Sequence, residues 1–218
     1  ASTQHEKYDI DLRTDPILCF NRRLVPLKPS IFQRVQGYTW IATNLLVFGT
    51  WGLLIHPRYD LRKRNYVKLL ITWACNIARI RMYCALADSV LGGIGLFLTT
   101  NSGGVGMLLF TFTVSHTMTE LVESDRSEHW VREAFDHTLN IRPNFLVNWW
   151  MGYLNLQIEH HLFPSTPNYK TVAIRPYVKK FALANNLLYR EYGFFELYAA
   201  QMKHMMDIQN YINREKTD

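Results

Sequence analysis

Charge vanishes from two stretches of this chain and returns between them. Residues 38–55 (YTWIATNLLVFGTWGLLI) run for eighteen positions without a charged side chain, and residues 89–114 for twenty-six. At about 1.5 Å of rise per residue, eighteen helical residues cover about 27 Å, close to the roughly 30 Å of a bilayer's hydrocarbon core. The first run is predicted as a membrane span with Trp40 and Trp51 near its ends. The second is long enough to span with tilt, or with a break at its glycines and Asn101. Residues 66–87 are also apolar but contain Lys68, Arg79 and Arg81. A central arginine in lipid costs about 3 kcal/mol on insertion scales, so this stretch is predicted as an amphipathic helix at the interface. Two spans leave both chain ends on one side of the membrane. They also place Arg58 to Arg64 on the other side, against the positive-inside tendency.

The flanking segments are polar. Residues 1–37, punctuated by Pro16, Pro26 and Pro29, are predicted as a loop or interfacial segment. In 117–156, Val131, Phe135 and Leu139 recur every four residues, which predicts an amphipathic helix. Pro176 is a candidate helix start, and Asn185 or Asn186 a candidate stop. Residues 194–211 are predicted as a final amphipathic helix. There is no internal repeat and no low-complexity tract.

The net charge of +6 suggests an acidic partner. The basic clusters at Arg22, Arg23, Lys28 and Arg34 and at Arg58, Arg62, Lys63, Arg64 and Lys68 flank an apolar run. That placement favours anionic lipid headgroups and argues against nucleic acid. A mean hydropathy of −0.11 requires long polar parts beside any membrane segment. Cys75 and Cys84 lie in apolar sequence and are predicted as small core hydrophobes.

The chemistry concentrates at Gln157-Ile158-Glu159-His160-His161-Leu162-Phe163-Pro164. Positions i, i+3 and i+4 of a helix share a face, so Gln157, His160 and His161 project together. Imidazole is the commonest protein ligand for transition metals. Pro164 disfavours helical geometry at Phe163 and predicts a helix end just past the pair. His116 closes the second apolar run, and a histidine at the end of a membrane helix is a functional candidate.

The string Gln157 to Pro167 (QIEHHLFPSTP), with Trp150 and Asn155 ahead of it, resembles the third histidine box of the membrane fatty acid desaturases. Gln157 in the place of the box's first histidine resembles the front-end branch, which inserts a double bond between an existing one and the carboxyl end of an acyl chain. The basic stretch Lys170 to Tyr189 is similar to a cytosolic helical segment of that family. Ala1 to Pro16 looks like the stretch that follows its second box. The family's two upstream boxes do not occur among these residues, which implies the C-terminal part of a longer enzyme.

The resemblance implies an all-α, membrane-embedded helical desaturase fold with about two transmembrane helices plus amphipathic and cytosolic helices. It divides the chain into a cytosolic or interfacial loop (1–37), a membrane region (38–114) and a cytosolic cap with the box (115–218). It implies dioxygen-dependent hydrogen abstraction at two non-haem iron ions, with His160 and His161 as catalytic ligands and His116 as a further ligand. Gln157 is then a weak ligand or a group that orients the ligands. Electrons come from a cytochrome b5 domain or protein and its reductase, whose haem this chain does not bind. The substrate is an acyl lipid, and the place is the endoplasmic reticulum membrane, crossed more than once. A sphingolipid desaturase or a lipid hydroxylase uses the same histidines, and a non-catalytic membrane fragment is a third alternative.

The other histidines carry weaker signals. His129 and His137 are predicted as solvated or headgroup-facing, and His204 as a surface residue. His5 lies beside Glu6 and Asp9, a loosely matched candidate; Asp9 and Asp11 are equally a family pattern or an acidic turn. His56-Pro57 is followed by Arg58 and Tyr59, where a cytochrome b5 haem loop has two glycines. Trp149, Trp150 and Tyr153 are predicted to pack beneath the site or line an acyl tunnel.

Overall fold

A computed structural model describes residues 14, 16–46, 51–121 and 129–215 of the chain. The described residues are predominantly helical, as the all-α expectation requires, with a single two-stranded element. They fall into two compact units, Ala1–Trp40 with Thr111–Asp218, and Ile41–Phe110.

The smaller unit carries α3 (Trp51–Arg62), α4 (Tyr66–Leu86) and most of α5 (Val90–His116). Arg64, in the left-handed region at φ 56°, turns the chain between α3 and α4. Buried Asp60 on α3 pairs with Lys68 on α4 at 3.2 Å. Gly93 is required where α5 crosses α4, because a Cβ there would meet the Cys84 Cα at 2.4 Å.

Among the described residues, α4 is the helix long and apolar enough to cross a membrane. It buries none of its residues and exposes Leu70, Ile71, Trp73, Ile77, Met82 and Leu86. Water penalises such an apolar surface and lipid does not. The interfacial expectation for 66–87 rested on the cost of Arg79. In the structure Arg79 donates to Asn101 Oδ1 at 3.1 Å and lies 5.1 Å from the Phe97 ring centroid, so its charge has partners on α5. The glycines of α5 do not break it: one helix covers the whole of 90–116. The run 38–55 divides between α2 (Gln36–Leu46) and α3, which continues through Arg58, Asp60 and Arg62; residues 47–50 lie outside the described residues. Cys75 is exposed and Cys84 half-buried, so neither is the core hydrophobe expected from its apolar neighbours.

The larger unit begins with the 3-10 turn Arg22–Leu24 and the short helix α1 (Ile31–Arg34). Ser30 and Gln33 cap α1 reciprocally, a Ser-x-x-Gln signal inside the segment expected to be a loop. Helix α6 (Trp130–Asp136) is followed by β1 (Asn140–Ile141), α7 (Phe145–Trp150) and α8 (Gln157–Leu162). Then come α9 (Thr171–Ala184), β2 (Glu191–Tyr192) and α10 (Phe194–Glu215). Strands β1 and β2 are parallel, with Asn140 opposite Glu191.

Helix α9 starts five residues before Pro176, which sits within it, and it stops at Asn185 as expected. The amide of Asn185 donates to the Phe181 carbonyl. Helix α10 includes the whole of 194–211. One core cluster joins Ala134 and Phe135 of α6, Ile158 and Leu162 of α8, and Val178 and Ala182 of α9. A second joins Cys19 to Ile208 and Ile212 of α10.

Candidate metal centre

The box is built on a very short helix. Two successive left-handed residues, Gly152 (φ 55°) and Tyr153 (φ 62°), reverse the chain between α7 and α8. Glycine adopts that conformation freely and tyrosine does so at a cost of roughly 1 kcal/mol or more. Helix α8 then runs six residues and stops at Phe163, where Pro164 was expected to stop it. Its apolar positions Ile158 and Leu162, four apart, are buried against α6 and α9. The expected amphipathic stripe is real: Val131 and Phe135 pack on this cluster from α6, while Leu139 is buried beyond the helix end.

The opposite side of α8 meets the end of α5. Gln157 Nε2 donates to the Leu154 carbonyl at 2.8 Å, which orients the amide. Its Oε1 therefore accepts from His116 Nε2, 3.1 Å away. That bond puts the His116 proton on Nε2 and leaves the lone pair on Nδ1. The carbonyl of His116 accepts from Thr119 Oγ1 at 3.2 Å, and Phe112 stacks on the imidazole at 4.0 Å. The His161 ring lies 5.1 Å from that of His116, edge to face, and the His160 ring 5.7 Å from that of His161.

The electrostatics favour the neutral form of His116 and of His161. Burial lowers His116, which lies past the uncharged run, to about 3, with His161 reinforcing the shift. Burial lowers His161 to about 4, and His160 adds to it. Neutral imidazole is the form that ligates a metal. The Nδ1 of His160 is buried and has no hydrogen-bond partner among the described residues. The donor chemistry thus fits an imidazole-bound transition metal. Among the described residues, no three His, Cys, Asp or Glu side chains converge closely enough to hold an ion.

Beneath the box lies a buried polar network. Glu159, fully buried, accepts from Asn140 Nδ2 at 2.8 Å and from the Tyr189 hydroxyl at 2.7 Å. Burial pushes its carboxyl above the usual carboxylate range, against those two bonds. Asn155 donates to the Ile141 carbonyl and to Asn148, holding β1 against the start of α8. Sequence reasoning passed over Glu159, Asn140 and Tyr189. The available signal was a carboxylate beside the apolar pair Ile158 and Leu162; nothing marked Asn140.

The remaining sequence candidates lie apart from this cluster or outside view. His129 is exposed and caps α6, and His137 ends that helix with Nδ1 at 2.9 Å from the Glu120 carbonyl oxygen. His204 is half-buried and not a surface residue, with Nε2 donating to the Phe20 carbonyl at 2.8 Å. His5, Asp9 and Asp11 lie outside the described residues, as does the side chain of His56. Trp149 is 71% exposed and does not pack beneath the site. With Leu146, Val147, Trp150, Phe194 and Phe195 it lines an open apolar cavity of about 470 Å³.

Comparison with known proteins agrees with the family resemblance. A family model described as fatty acid desaturase matches residues 2–193. The chain is 35% identical over 196 residues to an acyl-lipid (8-3)-desaturase of Thraustochytrium sp, covering 87% of this chain and 45% of that protein. It is 32% identical over 207 residues to an acyl-lipid (8-3)-desaturase of Rebecca salina, covering 91% of this chain and 48% of that protein. Against fatty acid desaturase 3 of Homo sapiens it is 37% identical over 150 residues, covering 63% of this chain and 32% of that protein. The chain therefore spans less than half the length of these curated relatives. No solved structure matches it.

Proposed function

The chain belongs to the fatty acid desaturase family, and on that premise we propose that it carries part of the iron site of a front-end acyl desaturase. The supporting observation is the His116–Gln157–His161 cluster beside His160, brought together from two helices forty-one residues apart. His116, His160 and His161 are the ligands in this reading. Gln157 orients His116 through its Oε1 and is not itself a donor to metal while that bond stands.

Two non-haem irons, when bound, would supply the activation of dioxygen, the oxidant that takes up the electrons and the hydrogens removed from an unactivated methylene, chemistry that no side-chain acid or base provides. The protein's own part is geometric. Phe112 and Gln157 fix the plane of His116; α6 and α9 fix α8; burial disfavours protonation of His116 and His161. The substrate in this reading is a membrane-borne unsaturated acyl chain. The electrons come from cytochrome b5 and its reductase, at the endoplasmic reticulum membrane crossed more than once.

The test is expression in yeast of the full protein that carries this chain, with a polyunsaturated precursor supplied and fatty acid methyl esters quantified. A product with one added double bond on the carboxyl side is expected. His160→Ala, His161→Ala and His116→Ala each abolish it at matched protein level, and His129→Ala does not. Substantial conversion by His160→Ala would overturn the ligand assignment, and a hydroxylated product would overturn the reaction.

A further inference from the structure

Helix α8 has six residues, far short of the roughly 12 to 15 at which a helix becomes marginally stable alone. Its N-cap, Leu156, offers no side-chain hydrogen bond to the first turn. The missing acceptor arrives from another strand. Asn140 Oδ1 accepts from the Ile158 backbone N–H at 2.9 Å. The same amide donates through Nδ2 to Glu159 Oε2 at 2.8 Å and to the Tyr189 hydroxyl at 2.9 Å. Tyr189 in turn donates to Glu159 Oε1 at 2.7 Å. Both carboxylate oxygens are thereby held, and Asn140 and Glu159 are fully buried.

Asn140 is itself tied to its neighbours through the backbone. Its N–H donates to the Arg190 carbonyl at 3.0 Å, it bridges antiparallel to Leu156, and the next N–H, of Ile141, donates to the Asn155 carbonyl at 2.8 Å. At about 100° per residue, Glu159 projects roughly 200° round the helix axis from Gln157, away from the side of His160 and His161. Gripping Glu159 from behind thus sets the angle at which the donor side faces His116.

We propose that Asn140, Glu159 and Tyr189 form a clamp whose role is to position His160 and His161 as ligands, with Asn140 capping the box helix from β1. The proposal rests on the metal-ligand reading of those histidines. A buried carboxylate is a costly way to gain stability, since an apolar side chain of similar size is often at least as stabilising. Its use here is explained by the orientation it imposes: two held oxygens fix a rotation that an apolar contact leaves loose.

The experiment uses the full protein purified from membranes. Iron affinity is measured by chelator competition, the ferrous site by Mössbauer spectroscopy, and folding by thermal melting. Glu159→Leu is expected to stay folded, to lose about tenfold or more in iron affinity or turnover at nearly unchanged KM, and to alter the ferrous spectrum. Glu159→Gln, which keeps the shape and an acceptor, restores most of the loss. Wild-type iron affinity and spectrum in Glu159→Leu overturn the clamp. Should Glu159→Leu fail to accumulate, Tyr189→Phe is read in the same assays, and an unchanged spectrum and affinity there overturns it equally. His160→Ala separates the two levels. If it keeps wild-type iron affinity, the ligand reading fails. If it loses iron while the Glu159 and Tyr189 variants match wild type, the clamp alone fails.

Discussion

Replacing Ile158 by alanine tests whether the box helix is held in place by its packing. Ile158 lies between Gln157 and Glu159 and is 0% exposed. It anchors α8 against Phe135 of α6 and Val178 and Ala182 of α9. Truncating a fully buried isoleucine costs about 2–5 kcal/mol, from lost burial plus the cavity left behind. A six-residue helix has little cooperativity of its own to absorb that loss. Taking about 3 kcal/mol and about 2–4 °C per kcal/mol for a chain of this size, the melting temperature falls by about 6–12 °C. Ile158→Val, which removes one methyl, costs about 1 kcal/mol. The assay is thermal unfolding of the detergent-purified protein, with acyl product measured at a temperature where both variants remain folded. Product should fall in Ile158→Ala even there, because the imidazoles lose their fixed bearing. An alanine variant melting within about 2 °C of wild type would refute the reasoning, since α8 would then be held by something other than this cluster.

Three further outcomes are expected. In the metal-free protein, His161 is lowered from 6.5 to about 4, so between those values the unfolded chain takes up a proton that the folded one refuses. Stability is therefore fully present above about pH 6.5 and is lost as pH falls toward about 4, by about 3 kcal/mol from this group, with His116 acting in the same direction; melts across that range measure it. Gly93→Ala drives a Cβ against the backbone of Cys84 at 2.4–2.5 Å and should destabilise by about 1–3 kcal/mol, whereas Gly95→Ala, with nothing within 4 Å, should be neutral or slightly stabilising in the same melt. His204→Ala removes the bond to the Phe20 carbonyl and should lower stability by about 1 kcal/mol while leaving product formation at the wild-type level.

Local chemistry made much of this protein legible in one dimension. The i, i+3, i+4 spacing of Gln157, His160 and His161 and the stop imposed by Pro164 are properties of eight consecutive residues, and α8 forms and ends accordingly. The stripe of Val131 and Phe135 marked the face that α6 turns to the core. The pair Asn185 and Asn186 marked the end of α9, and Asn185 supplies it, its short amide closing the helix on the Phe181 carbonyl.

What the sequence left open was every feature that depends on partners distant along the chain. Arg79 read as an obstacle to membrane insertion because its partner, Asn101, is twenty-two residues away. His204 read as surface because the Phe20 carbonyl that accepts its hydrogen bond is 184 positions distant. Glu159 drew no expectation of its own, yet Asn140 and Tyr189 converge on it from both sides in sequence. Hydrophobic period and proline placement act within a turn or two of backbone, so one chain segment specifies them. A buried polar group is satisfied only when the fold delivers its complement, and which complement arrives is decided in three dimensions.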